Sequence, residues 1–142
     1  MSTRTALRAL WIAVGVQLAG RLLDLRWHLT HDEFEGTSQQ FEAHWLLWIG
    51  VIATIAVAVL TSTAREPPAG RVGYLVVLLA GGLYVPIAIW HFIEHANGTD
   101  PELAHWLLAV TQVGMVVGAI IATVIARRYR PPAAGTGQVA AG

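Results

Sequence analysis

The sequence predicts an all-α integral membrane protein, a four-transmembrane-helix bundle built as two tandem helical-hairpin repeats. Three observations predict it. Of 142 residues, 55% are hydrophobic and only 13% are charged, about half the share usual in a soluble domain. Four apolar stretches approach or exceed the roughly 20 residues a helix needs to cross a bilayer core. The two halves of the chain also repeat one another's His-Trp signature.

Composition excludes several classes. Nine basic residues, all Arg, balance nine acids, so no net field recruits a polyanion and nucleic acid is not an expected partner. Cysteine is absent, which removes disulfides, thiolate metal sites, Fe–S clusters and covalently attached haem.

The first apolar stretch runs Thr5–Trp27. Arg4 and Arg8 could head a signal peptide, but the run outlasts an h-region and Gln17-Leu18-Ala19 is a poor cleavage site. It reads as a membrane helix. A polar, acidic loop is expected over 28–42, before the second stretch, Ala43–Thr61. Residues 62–71 contain Glu66-Pro67-Pro68, which no helix crosses. The third stretch, Val72–Ile93, carries Gly81, Gly82 and Pro86, and Pro86 is expected to kink it. Gly98 suits a helix C-terminus and Pro101 the first turn of the next helix. The fourth stretch, Leu103–Ile125, carries Gly114-x-x-x-Gly118, a close-contact motif whose first expected use is packing within the chain and whose second is homodimerisation. Gln17, Thr111 and Gln112 are expected to hydrogen-bond between helices. Backbone polar groups in lipid must be satisfied internally, and uniform apolarity over these lengths fits helices, not the shorter alternating strands of a barrel. The expected organisation is one membrane domain over 1–130, with repeats at about 5–62 and 71–127, and a disordered cytoplasmic tail over 131–142.

Arg4, Arg8, Arg65, Arg71, Arg127, Arg128 and Arg130 flank one side of the four stretches, and the loops at 28–42 and 96–102 contain no Lys or Arg. The positive-inside rule then places both termini in the cytoplasm of a cell (plasma or inner) membrane. Trp27, Trp45, Trp90 and Trp106 fall at the outer interface, with Trp48 a turn deeper. Trp11, Tyr74 and Tyr129 fall nearer the inner one, as an aromatic belt would.

Ala43-His44-Trp45-Leu46-Leu47 recurs as Ala104-His105-Trp106-Leu107-Leu108, and Trp27-His28 recurs as Trp90-His91. The two offsets differ by two residues, which a loop difference reconciles. Both hairpins start on the same side, so the repeats are parallel, with a pseudo-twofold along the membrane normal.

All six His, at 28, 31, 44, 91, 95 and 105, lie in the outer third. Asp24 and His28 are four apart and share a helix face, as do His91 and His95. His44 and His105 open the second and fourth helices. An ionisable group at membrane depth costs at least a few kcal/mol unless partnered, so such a layer faces the bundle interior and needs partners. A transition metal is one solution, because neutral imidazole and carboxylate are its ligands. The expected ligands are His28, His44, His91 and His105, one from each helix, with Asp24 and His95 as additions. Arg21 lies about one turn below Asp24 and is expected to pair with it, fixing the carboxylate. Glu94 is the candidate acid/base if there is catalysis.

Two short strings carry partial resemblances. His91-Phe92-Ile93-Glu94-His95 resembles the H-x-x-E-H element of inverted zinc proteases, and nothing else in the chain resembles them. Glu102-Leu103-Ala104-His105 resembles the E-x-x-H element of di-iron bundles. The first repeat has Glu42-Ala43-His44 instead, one residue short, so a standard di-iron site is not expected.

Three function classes follow. The first is a membrane metalloprotein holding Zn, Cu or Fe in a His/Asp/Glu site, of redox or hydrolytic type. The second is a b-type haem electron-transfer protein with bis-His ligation. The third is a non-catalytic accessory or assembly subunit whose polar layer docks a membrane-complex partner. The carboxylates favour the first, since bis-His haem has no need of them. Partners beyond the lipid bilayer would be a second copy or such a complex.

Overall fold

The computed structural model of the chain describes residues 1–30, 37–64, 69–99 and 102–129, with residues 37–43 described in backbone only. It contains four helices: α1 (Thr3–Thr30), α2 (Thr37–Ser62), α3 (Arg71–Ala96) and α4 (Glu102–Arg128). Each is long and apolar enough to cross a membrane. The helices outrun their apolar stretches, because polar residues at the ends continue the backbone ladder once the apolar segment has nucleated it. Most of 28–42, expected as loop, is therefore helical in α1 and α2. The expected tail at 131–142 lies outside the described residues, as does His31.

α1 packs chiefly against α2, and α3 against α4, with lesser contacts of α2 with α3 and of α1 with α4. The chain thus forms two hairpins closed into one bundle. Trp11 Nε1 closes the α1–α4 side by donating to Thr123 Oγ1 at 2.9 Å.

Every helix buries a seam with alternating steps of three and four residues. In α1 the seam includes Ala6, Leu10, Ala13, Gln17, Gly20 and Asp24. In α3 it includes Tyr74, Val77, Gly81, Tyr84 and Ala88, and in α4 Ala104, Leu108, Thr111, Met115, Gly118 and Ala122. This is the spacing of antiparallel bundles, where a stripe of period near 3.5 stays facing its partner. The opposite faces are strongly apolar: Leu22, Leu79, Trp106 and Val110 are each more than 60% exposed. Such a surface is unfavourable in water and matches a bilayer.

Small residues on the seams let backbones touch. A Cβ on Gly20 would run into the backbone of Leu46 and Leu47, and one on Gly50 into the backbone of Gln17. Gly73 and Gly118 clasp α3 to α4 in the same way, each meeting the other's carbonyl oxygen. Gly114 faces Ala80 Cβ at 3.0 Å. The Gly114/Gly118 motif is thus used inside the chain, as its first expected role required.

Tyr74 does not belong to an inner belt. It is fully buried, because its neighbour Gly73 turns this part of α3 directly onto α4. The buried threonine hydroxyls satisfy themselves within their own helix. Thr61 donates to the Val57 carbonyl at 2.6 Å, and Thr111 to the Leu108 carbonyl at 2.9 Å. Thr111 therefore needs no interhelical partner, contrary to expectation. Gln17 does reach across, with Thr54 Oγ1 3.4 Å from its Oε1. Helix α3 runs unbroken through Pro86, which sits on the exposed face. It ends at Gly98 in the left-handed region (φ 73°), where Thr99 N–H donates to the Glu94 carbonyl and Gly98 N–H to that of His95. That is a Schellman cap, as Gly98 predicted.

Candidate metal centre

The site stands where the seams reach the end of the bundle away from the N-terminus of α1 and the C-terminus of α4. On α3 the three-and-four rhythm that buries Tyr84 and Ala88 continues to His91 and His95. On α2 it runs back from Val51 through Leu47 to His44. The packing pattern that builds the core therefore also points these imidazoles inward.

Asp24 is the pivot. Its side chain is 1% exposed, and Arg21, one turn below and one-third exposed, pairs with Oδ2. The other oxygen, Oδ1, faces two imidazoles: His44 Nε2 at 2.6 Å and His28 Nε2 at 3.4 Å. The expected Arg21–Asp24 pair is present, and it leaves one carboxylate oxygen for the cavity.

The second hairpin builds a different cluster. The His91 ring lies 4.3 Å from that of His95 and 4.4 Å from that of His105, centroid to centroid. His91 Nδ1 is buried without a hydrogen-bond partner among the described residues. Buried polar atoms of that kind are uncommon and call for an explanation. His28 links the two clusters, its ring 6.1 Å from that of His105 and 6.3 Å from that of His95.

Six of the sequence-predicted residues thus converge: Asp24, His28, His44, His91, His95 and His105. Among the described residues they form two sets whose ligand atoms lie within 4.8 Å of one another: Asp24/His28/His44 and His91/His95/His105. All but His105 border a cavity of about 50 Å³, room for an ion with a water or so.

Glu94 is not brought into either set. Its carboxylate accepts hydrogen bonds from Thr99 Oγ1 at 2.6 Å and from Trp90 Nε1 at 3.3 Å, which ties it to the end of α3. Glu102 is exposed in the first turn of α4, where a carboxylate complements the helix dipole. The side chain of Glu42 lies outside the described residues.

Sequence reasoning missed two lining residues, Trp48 and Tyr84, whose rings meet edge to face at 6.4 Å. The signal was available: Tyr84 precedes His91 by seven residues on one seam, and Trp48 follows His44 by four. Trp48 and Phe92 also line an apolar groove of about 520 Å³ on the bundle's outer surface. They are the aromatic wall shared by the polar cavity and the lipid-matched surface.

Neither protein-family models, nor curated proteins, nor solved structures match this chain.

Proposed function

We propose that the protein is a small integral membrane metalloprotein, with a His/Asp transition-metal centre at the extracytoplasmic end of its bundle. One observation carries the reading. In a mostly apolar interior, four helices bring six ligand-type side chains together at one end of the bundle, five of them around one small cavity, sorted into sets compact enough to hold an ion. Leaving so many ionisable groups together in a poor solvent is costly unless they share a partner. Among the described residues the set of the second hairpin is made of three imidazoles. A cation is the ligand they have in common, and neutral imidazole suits Zn, Cu and Fe.

The cavity volume favours an ion over a porphyrin, so a metal centre is preferred to b-type haem. Three protein ligands per ion leave an open position for water or substrate, as in catalytic zinc sites. The acid/base role considered for Glu94 draws no support from its position, where Thr99 and Trp90 hold it. The Arg distribution supports a plasma or inner membrane location with both termini cytoplasmic.

Elemental analysis and a visible spectrum of the detergent-purified full chain test the proposal. A stoichiometric transition metal without a Soret band is the expected result. A Soret band would select haem. Protein that holds neither, even after incubation with Zn(II), Cu(II) or Fe(II), would overturn the proposal and make the polar layer a hydrogen-bonded cap of an accessory subunit.

A further inference from the structure

The geometry points to two metal ions, not one, held in chemically different sites: Asp24/His28/His44 in the first hairpin and His91/His95/His105 in the second. This rests on the metalloprotein reading and goes beyond it in number, ligand set and metal class.

The first argument is distance. Metal–ligand bonds of about 2.1 Å at tetrahedral angles place neighbouring ligand atoms about 3.4 Å apart. His28 Nε2 already stands 3.4 Å from Asp24 Oδ1. His44 Nε2, at 2.6 Å, has to withdraw by less than an ångström. Ligand atoms of the second set likewise lie within 4.8 Å of one another, yet the six residues separate into two sets and do not merge into one. Across the divide the His28 ring is 6.1 and 6.3 Å from those of His105 and His95, whereas rings within a set are no more than 5.7 Å apart, His28–His44 at 5.6 Å and His95–His105 at 5.7 Å. Within the second set the His91 contacts are under 4.5 Å.

The second argument is how each set gains its third member. The sequence offsets match His28 with His91 and His44 with His105, so the His28/His44 pair of the first hairpin corresponds to the His91/His105 pair of the second. Asp24 lies one turn before His28. The residue at the matching position before His91 is Ile87, which packs against the apolar core. The second hairpin instead adds His95, one turn after His91. So one set is completed from below by a carboxylate and the other from above by an imidazole. A single ion cannot take both third ligands, which lie a turn to either side of the shared His level.

The third argument is ligand chemistry. Arg21 occupies Oδ2 of Asp24, so the carboxylate is left to bind through Oδ1 alone. Two His and one monodentate carboxylate make the harder set, the composition associated with Fe(II) sites that keep open positions. Three His and no carboxylate make a borderline set suited to Zn or Cu. His91 Nδ1, buried and unpartnered among the described residues, belongs to this second set.

Co(II) is the probe, because its visible bands report ligand number and geometry. The full chain, purified in detergent and stripped with chelator, is titrated with Co(II). The expected result for the unaltered protein is uptake of two ions per chain, with two distinguishable sets of bands. Asp24→Asn and His44→Ala should each leave one ion with the all-nitrogen spectrum. His95→Ala and His105→Ala should each leave one ion with the other spectrum. The titration of the unaltered chain decides the question even if a variant fails to fold. An end point at one ion with a single spectrum overturns the two-ion inference and leaves the metalloprotein reading intact. Two ions retained in all four variants would overturn the ligand assignment. No uptake at all, of Co(II) or of the native candidates, would sink both readings together.

Discussion

Gly20 joins the packing to the site. Replacing it with Ala adds one methyl group where the α1 and α2 backbones touch. The new Cβ would lie 2.5 Å from Leu47 Cα and 2.8 Å from the Leu46 carbonyl carbon, against 3.4 Å for ordinary contact. Those are backbone atoms, which no rotamer change can move aside, so the helices must separate by close to an ångström. Overpacking of this kind costs about 1–3 kcal/mol. The displacement also reaches the candidate ligands. Asp24 lies one turn above Gly20 on α1, and His44 one turn from Leu47 on α2. An ångström added to their 2.6 Å contact breaks it as a hydrogen bond. Gly82→Ala is the control, because nothing lies within 4 Å of a Cβ there and Ala is the better helix former by up to about 1 kcal/mol. Detergent-unfolding titrations followed by circular dichroism should show Gly20→Ala destabilised and Gly82→Ala unchanged or slightly stabilised. Metal analysis should show loss at the Asp24 set with the three-His set retained. Equal stability of the two variants would refute the close approach and the coupling drawn from it.

Three further outcomes are expected. Asp24→Asn and Arg21→Gln should each destabilise the bundle, and the double change should cost less than their sum, by about 1–3 kcal/mol of coupling; a strictly additive cycle in the same unfolding assay would mean the pair does not interact. Gly98→Ala should cost about 1 kcal/mol, because φ of 73° suits Gly and strains a side chain, and an unchanged unfolding midpoint would count against the left-handed cap. A reporter fused after Gly142 should behave as cytoplasmic, whereas extracytoplasmic activity would invert the orientation and put the metal centre on the other face.

Much of the fold was legible because a membrane would leave few alternatives. Twenty apolar residues must be a helix or part of a closed barrel, and short connections then force neighbouring helices to run antiparallel. Which face of each helix turns inward was harder to read, since lipid is as apolar as Leu and polarity cannot mark the seam. Size marks it instead. The seams hold Ala6, Ala13, Gly20, Gly50, Ala58, Gly73, Ala80, Gly118 and Ala122, and the outward faces hold Leu22, Ile52, Leu79 and Trp106. Small residues are what membrane helices need at contacts, because association there depends on close packing and not on expelling water. The six converging residues were legible from their common height and helical spacing. Their division into two sets was not, because it depends on whether a third ligand comes from the turn before or the turn after a shared His. Glu94 stands apart from both sets for a related reason: spacing places it beside His95, but Thr99 and Trp90 hold its carboxylate at the end of α3.

The repeat in the sequence does not extend to how the two hairpins are clasped, and this bears on the asymmetry of the centre. In the first hairpin one close backbone approach is at Gly20 and Leu47, only four residues from Asp24, which is about 6 Å along a helix. With the backbones that close, a carboxylate is a better fit to the space one turn above than a second ring from the same helix would be. In the second hairpin the Gly73–Gly118 clasp lies at the other end, with His105 thirteen residues from Gly118, about 20 Å away. There side chains, not touching backbones, set the helix spacing at the outer end, and α3 can contribute two imidazoles, His91 and His95, facing the one from α4. Matching His pairs on differently clasped hairpins would thus account for the two unlike candidate ligand sets at one end of the bundle. Moving the first clasp, by Gly20→Ala, is accordingly expected to disturb one set and spare the other.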